Sequence, residues 1–285
     1  MVNTPRAAMQ QIRQQLESAG LESAQFESRI LLETVLELPC GVPLPEQPLT
    51  PAQQQRLAEL TARRCAREPL QYLCGTWEFF GLEFQVGEGV LIPRQDTETL
   101  VETVLELRSG APSTCLLDLC SGSGCIPAAV AAHLPAVTGA VLELSPDALP
   151  YLRRNLARHA PQLQCCAGDV LHPPADLLQQ QYHIITCNPP YLTAADMAQL
   201  QPEVAHEPET ALFGGTDGLD FYRKLTPLWK RALQPGGWLV YEVGAGQAAD
   251  VEQIFCENGY ARAHTVSNLT GIGRVVLGQN AEICG

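Results

Sequence analysis

A chain of 285 residues, 46% of them hydrophobic, buries a sizeable core and has room for two domains, or for one domain with a substantial extension. Its net charge of −13 and pI near 4.9 argue against a broad phosphate-binding surface, because non-specific nucleic-acid affinity comes largely from Lys and Arg. No apolar run reaches the roughly 18 residues of a membrane span, and Met1 to Gln15 lacks the apolar centre of a signal peptide, so a cytoplasmic protein is expected.

Residues 7 to 18 and 23 to 37 carry apolar positions at helical spacing, for example Phe26, Ile30, Leu31 and Val35, and the second run stops before Pro39-Cys40-Gly41. A third helix is predicted from Pro51 to about Arg67, with Thr50 as its N-cap and Pro51 in its first turn. Residues 1–76 thus form a small helical domain, nearly balanced in charge with seven arginines and eight glutamates, which leaves −12 for the rest. Leu38 to Pro51 is Pro-rich and reads as a loop between helices. From Trp77 to Val90, Phe79, Phe80, Phe84 and Val86 are separated by Gly81 and Gly87, the pattern of a short hairpin, and the domain junction is placed at 77–90.

A second domain, 91–285, opens with Leu91-Ile92-Pro93-Arg94-Gln95-Asp96-Thr97-Glu98 and a helix from about Glu98 to Arg108, which Asp96 or Thr97 can cap; such a helix start suits an anionic group. Strand and helix patterns then alternate: Cys115 to Leu119, Ile126 to His133, Val137 to Glu143, Pro146 to His159. Further strands are predicted at Leu163 to Ala167, Tyr182 to Cys187, Trp238 to Val243, Ala261 to Val266 and Gly273 to Gly278, which makes seven. Alternation of this kind means an α/β fold with a mostly parallel sheet covered on both faces. The eleven cysteines fall in apolar runs such as Cys115-Leu116-Leu117 and Gln164-Cys165-Cys166, as free thiols do in a reducing compartment. Cys115, Cys120 and Cys125 are evenly spaced, but no Cys-x-x-Cys pair or His partner at zinc-site spacing accompanies them, and no metal is expected.

Four strand ends carry groups that can meet a ligand. After the first strand, Asp118-Leu119-Cys120-Ser121-Gly122-Ser123-Gly124 forms a glycine-bearing turn into a helix; by itself this is a weak signal, and a tight strand-to-helix turn explains it as well. Pro127 stands where a dinucleotide fingerprint has its third Gly, which disfavours nicotinamide and flavin dinucleotides. Glu143 ends the second strand about 20 residues beyond the turn, where an acid can accept ribose hydroxyls, although a solvated Glu at a strand end fits as well. Asp169 and Val170 follow the third, placed for an adenine amino group and ring, although turn chemistry alone also explains this Asp. Asn188-Pro189-Pro190-Tyr191 follows the fourth. There, an amide and two prolines stripped of N–H offer acceptors to a planar NH2, although Asn-Pro-Pro is also an ordinary turn. Together the four ends describe a nucleoside site at the switch point of a sheet.

With these residues assembled, the chain resembles the class I S-adenosylmethionine-dependent methyltransferases that carry an Asn-Pro-Pro-Tyr motif, and within them the peptide chain release factor glutamine methyltransferases. The resemblance runs through Arg67-Glu68-Pro69-Leu70-Gln71-Tyr72-Leu73, Ile92-Pro93-Arg94, Asp118 to Gly124 and Asn188 to Tyr191. It continues through His206-Glu207-Pro208, Ala211-Leu212, Gly214 to Asp220, Leu233 to Gln247 with its Glu242-Val243-Gly244, and Gly273-Arg274-Val275-Val276. It implies a Rossmann-like seven-stranded catalytic domain behind a release-factor-docking helical domain. It also implies methylation of the glutamine of a Gly-Gly-Gln motif in class 1 release factors, with no nucleic acid or membrane as direct partner. Asn188 and the Pro189 carbonyl would hold the glutamine amide, with Pro190 and Tyr191 completing the substrate contact. Cys120, Ser121, Gly122, Ser123, Gly124, Glu143, Asp169, Val170, Asn188 and Thr97 would hold S-adenosylmethionine. The chain departs from the family pattern at Glu143, where Asp is usual, at Cys120, where Gly is common, at Gln95, where Pro is usual, and at Asn268 and Ile272.

Three alternatives stand beside this expectation. Methylation of an exocyclic NH2 on a flipped base uses a similar planar amine but needs a basic groove and a base-reading module. The acidic chain offers no obvious one. A related enzyme acting on a ribosomal-protein glutamine is disfavoured by the glycine-rich segment after Ala211-Leu212 and by the chain's ending. A silent binding module on the translation machinery is disfavoured by the intact Asn188 to Tyr191 beside the glycine turn.

Overall fold

The computed structural model describes residues 4–281; residues 1–3 and 282–285, with Cys284 and the outer ends of the expected 1–76 and 91–285 ranges, lie outside the described residues. The chain divides into two compact units, one running to Thr76 and also taking in Gln201–His206, the other comprising Trp77–Leu200 and Glu207 onward.

The first unit is helical: α1 Pro5–Ser18, α2 Ala24–Leu36, α3 Pro51–Cys65 and α4 Leu70–Cys74. Each of the two proline-led helices is capped by a threonine. Thr4 accepts the Ala7 N–H, and Thr50 shares a reciprocal capping box with Gln53, which satisfies donors that a helix start leaves unpaired. Helix α3 stops at Cys65, short of the expected Arg67, because Ala66 caps it and Arg67 turns to φ +70°. Ile12, Leu16, Leu31, Leu32, Leu57 and Leu60 are buried in this unit. Beside them Arg64 is buried as well, paired with Glu27 at 2.6 and 3.1 Å and with Glu203 at 3.0 Å.

The second unit begins with a hairpin of β1 Thr76–Phe79 and β2 Leu82–Gln85. It turns on Phe80 and Gly81, both at positive φ as a twist-matched two-residue turn requires. A short 3-10 turn, Gln95–Thr97, leads into α5 Glu98–Leu107, followed by β3 Thr114–Leu119, α6 Cys125–His133, β4 Val137–Glu143, α7 Leu149–His159 and β5 Gln164–Ala167. Then come α8 Ala175–Gln179, β6 Tyr182–Cys187, α9 Ala194–Met197, α10 Asp220–Lys230, β7 Leu233–Glu242, α11 Ala248–Glu257, β8 Tyr260–Ser267 and β9 Gly273–Asn280. The sheet order is β5-β4-β3-β6-β7-β9-β8, with β9 antiparallel to both of its neighbours and the remaining pairs parallel. This is the expected seven-stranded, mostly parallel α/β architecture.

Strand alternation divides the core into two faces. Leu117, Leu119, Ile185, Cys187, Leu239 and Tyr241 pack with Tyr222 and Trp229 of α10 and Phe255 of α11. Leu116, Ile184 and Val240 pack on the other face with Val101 of α5, Ala129 of α6 and Leu152 of α7. Two details differ from the sequence expectation. Strand β7 begins at Leu233, ahead of Trp238, and a register irregularity opposite Tyr182 and Ile184 absorbs Pro235-Gly236-Gly237. Helix α10 forms although Pro227 lies inside it and leaves the Arg223 carbonyl without its helical donor; Tyr222, Leu225, Thr226 and Trp229, all buried on one side, hold it to the sheet.

Candidate active site

The order of the strands decides where the site forms. From β3 in the middle the chain winds outward through β4 and β5, then returns to lay β6 and β7 on the opposite side. The carboxyl ends on either side of this reversal leave a crevice. Register aligns them: Leu119 pairs with Leu142 and Cys187, and Glu143 pairs with Ala167. A cavity of about 540 Å³ opens there. Its walls include Cys120, Ser121, Gly122 and Ser123 after β3, Glu143 and Leu144 after β4, Asp169 and Val170 after β5, and Asn188 and Pro190 after β6. Thr97, Arg94, Ala211 and Phe221 also line it. Among the expected site residues, Gly124, Pro189 and Tyr191 are not in this wall. Gly124 opens α6 at φ +79°, and a Cβ there would meet Leu152 Cδ1 at 2.7 Å, so its glycine serves the packing of α6 on α7.

A buried acid braces the glycine turn. Asp118, fully buried, accepts the Ser121 hydroxyl at 2.6 Å and the Thr186 hydroxyl at 2.6 Å, which ties the turn to both β3 and β6. Burial pushes its carboxyl up to about 7, against the pull of those two hydroxyls. Cys120, where the family commonly has Gly, holds φ +55°, a conformation that glycine adopts without strain. The Gly122 N–H donates to Glu143 Oε2 and the Ser145 N–H to Oε1, both at 2.7 Å. These bonds aim the longer Glu side chain into the cavity and leave each oxygen a further lone pair. Asp169 accepts from the Leu171 N–H at 2.8 Å and meets His172 Nδ1 at 2.8 Å. Partial burial opposes its ionisation, yet these two partners hold it below the usual carboxylate range.

The Asn188-Pro189-Pro190-Tyr191 turn is clamped from two directions. Gln247 donates from Nε2 to the Tyr191 carbonyl at 3.0 Å while its Oε1 accepts the Gly244 N–H at 2.9 Å. Next to it, the Leu192 N–H bonds the Leu212 carbonyl and the Gly214 N–H bonds the Leu192 carbonyl, each at 2.8 Å. The glycine-rich segment must come this close: a Cβ on Gly214 would lie 2.5 Å from Tyr191 Cα, and one on Gly218 would lie 2.2 Å from the Tyr191 carbonyl oxygen. Nearby, Glu207 accepts the Ile92 N–H at 3.1 Å and pairs with Arg94, joining two of the segments that carried the sequence resemblance.

Two expectations change on inspection. Neither Asp96 nor Thr97 caps α5: Asp96 pairs with Arg274 at 2.9 Å, and Thr97, itself helical in backbone, makes no side-chain cap. The Thr97 side chain instead favours the ionised carboxyl of Glu242, a residue that the sequence marks only by its place in the Glu242-Val243-Gly244 match. Glu242 ends β7, is 2% exposed, and its Oε2 has no hydrogen-bond partner among the described residues. Burial pushes it up to about 7; the Thr97 hydroxyl, the Arg274 guanidinium and the Asn188 amide pull it down, and Asp96 pushes it further up. Burial also pushes the Tyr191 phenol up, with the Glu242 charge adding to it. A signal existed in the sequence, since an acid closing an otherwise apolar strand departs from a buried parallel pattern.

A family model described as the PrmC N-terminal domain matches residues 7–75, and one described as the methyltransferase small domain matches residues 95–212. The chain is 42% identical over 279 residues to the release factor glutamine methyltransferase of Geobacter sulfurreducens, covering 97% of this chain and 96% of that one. It is 36% identical over 281 residues to the protein of the same name from Koribacter versatilis, covering 97% and 98%. Among solved structures, a methyltransferase from Pyrococcus furiosus shares the fold, with TM-score 0.52 at 14% identity over 81% of this chain and 100% of that one. Sequence likeness that spans the helical unit and the cavity-bearing unit alike, over nearly the whole of both chains, makes this protein a member of the release factor glutamine methyltransferase family.

Proposed function

We propose that the protein transfers one methyl group from S-adenosylmethionine to the side-chain amide nitrogen (N5) of the glutamine in the Gly-Gly-Gln motif of class 1 peptide chain release factors, in the cytoplasm, and so supports translation termination. The observation that carries this reading is a single cavity lined both by Glu143, Asp169 and the glycine turn and by Asn188 and Pro190. The donor set fits the cofactor. Glu143 has lone pairs to spare for ribose hydroxyls, and Asp169 and Val170 offer an acceptor and an apolar surface to adenine. Gly122, at φ +53° with open space where a Cβ would stand, lets a ligand approach its backbone. Cys120, Ser121, Ser123 and Thr97 complete that half of the site, with Gly124 holding the helix behind it.

S-adenosylmethionine, when bound, supplies a methyl group made electrophilic by its sulfonium. The protein's task is then to orient a poor nucleophile, because an amide lone pair is delocalised into its carbonyl. Asn188 Oδ1 and the Pro189 carbonyl each accept one hydrogen of the glutamine NH2, with Pro190 lining the cavity and Tyr191 packed behind the turn against the core. Positioning of this kind contributes on the order of 7 to 11 kcal/mol when the bound geometry is near attack. The nitrogen becomes acidic only as it gains the methyl, so no strong base is needed at the start.

In this reading residues 91–285 form the catalytic domain, 77–90 the junction and 1–76 the docking domain, since a glutamine on a loop needs its carrier protein held elsewhere. Mass spectrometry of a purified release factor incubated with the enzyme and S-adenosylmethionine is expected to find one added methyl on the Gly-Gly-Gln peptide. A methyl on a different residue or protein, or none, overturns the reading. A free Gly-Gly-Gln peptide is expected to be a far poorer substrate than the intact factor; equal kcat/KM for the two removes the docking role.

A further inference from the structure

Neither the fold nor the chemistry above gives Glu242 a task, yet its surroundings are specific. It ends β7 beside β6, one residue past the Tyr241–Cys187 pair, which brings it alongside Asn188. Alternation sets it on the same sheet face as Asp118 and Thr186. Those two are mutually satisfied, because both Asp118 oxygens accept hydroxyls. Glu242 is not: its Oε2 is buried without a partner among the described residues. A buried carboxyl left in this state costs stability unless something uses it.

The groups around it narrow that use. Arg274, on β9, gives Nη2 to Asp96 at 2.9 Å, while its Nε is buried with no hydrogen-bond partner among the described residues. The Tyr222 hydroxyl, on α10, goes to the Glu242 backbone carbonyl at 2.9 Å and not to its carboxyl. Tyr191 and Cys125 are also near enough to feel its charge. Thr97 and Asn188 are the neutral polar neighbours that favour the ionised carboxyl, both line the cavity, and of the two Asn188 carries an amide whose ends differ. An asparagine can present either oxygen or NH2. With Oδ1 inward it accepts from a substrate NH2; with Nδ2 inward it opposes donor to donor.

We propose that Glu242 is a positioning residue that fixes this choice: its carboxylate takes an Nδ2–H of Asn188, so that Oδ1 points at the substrate amide. The inference rests on the proposed reaction and adds the group that keeps its acceptor correctly turned.

Glu242→Met tests it, since methionine fills a similar volume and accepts nothing. The expected result is a fall in kcat of about 100-fold, as for a misoriented catalytic group, with the Kd for S-adenosylmethionine unchanged and the melting temperature equal or higher. In an Asn188→Ala background the same change is expected to cost nothing further. Glu242→Gln keeps the test open if the first variant folds poorly; its amide can turn either end to Asn188, and a smaller fall in kcat is expected. An unchanged kcat in whichever variant folds, or a fall matched by lost cofactor binding, overturns the proposal. If the wild-type enzyme itself fails to methylate a release factor, the proposed function fails instead.

Discussion

In the helical unit the buried Arg64 meets Glu27 through two hydrogen bonds and Glu203 through a third, and Arg67 reaches the same Glu203 at 3.2 Å. At the carboxyl edge of the sheet, buried charge is handled differently: Asp118 is bonded only to neutral hydroxyls, and Glu242 keeps one oxygen unpartnered. Both Asp118 and Glu242 are pushed up to about 7 by burial. A cluster whose charges are matched has done its work once the chain has folded. An acid held partly unsatisfied beside a cavity, as Glu242 is, retains capacity for a ligand or for a neighbouring catalytic group.

The sharpest way to break this contrast is Asn188→Ala. It is expected to lower methyl transfer by about 10³-fold or more, by removing an acceptor that orients the substrate. Calorimetric S-adenosylmethionine affinity should stay near that of the wild type. Arg64→Ala should do the reverse, destabilising the protein by about 3 to 5 kcal/mol because Glu27 is left buried and uncompensated, as read by urea unfolding. Under conditions where the variant remains folded, the cofactor Kd should be unchanged. A smaller stability loss means that Glu27 finds another partner when Arg64 is removed.

A pH series sharpens the acid side of the comparison. The folded-state values of Asp118 and Glu242 are raised from 3.8 and 4.5 to about 7. Their contribution to stability is therefore full below about pH 4 and is lost as pH rises through about 7. Glu242→Met removes one of these losses, so its melting temperature should gain on the wild type as pH rises. Over the same range the wild-type kcat should rise, because the ionised carboxylate is the form that accepts from Asn188. Burial and Asp96 raise the midpoint, and Thr97, Arg274 and Asn188 lower it. A flat kcat profile from about pH 6 to 8 removes that link. The smallest effect is expected from Cys120→Gly. Relief of φ +55° and the added chain entropy of glycine nearly offset each other, for a stability change within about 1 kcal/mol. A thermal shift larger than this shows that the thiol packs to more purpose than its backbone strain suggests.

Much of the site was legible because strand ends are local features. An apolar run that stops at Glu143, at Gly168-Asp169-Val170 or at Asn188-Pro189-Pro190 announces its own boundary, and these ends converge by the rules of parallel sheets. The sequence shows Gln247 and Gly218 only as parts of a matching segment, since the grip of Gln247 on the Tyr191 carbonyl spans 56 residues and the close approach of Gly218 to that carbonyl is equally non-local. Thr97 has the residue type of a helix cap, but it ends a 3-10 turn with helical backbone and makes no side-chain cap. Helix α10 escaped notice because Pro227 argues locally against it while tertiary packing of Tyr222 and Trp229 argues for it.

By itself, then, the sequence determined the seven-stranded plan, the glycine turn with Glu143 and Asp169 at successive strand ends, and the Asn188 to Tyr191 turn; each is written in periodicity and in punctuation by Gly and Pro. Tertiary structure alone decided that Gln201–His206 joins the helical unit, that Gly124 serves helix packing, and that Glu242 stands against Asn188. The physical reason is that burial and partnership are properties of what surrounds a residue. Two acids spelled alike in the chain, Glu27 and Glu242, become one half of a matched pair and one carboxyl with an oxygen still unpaired.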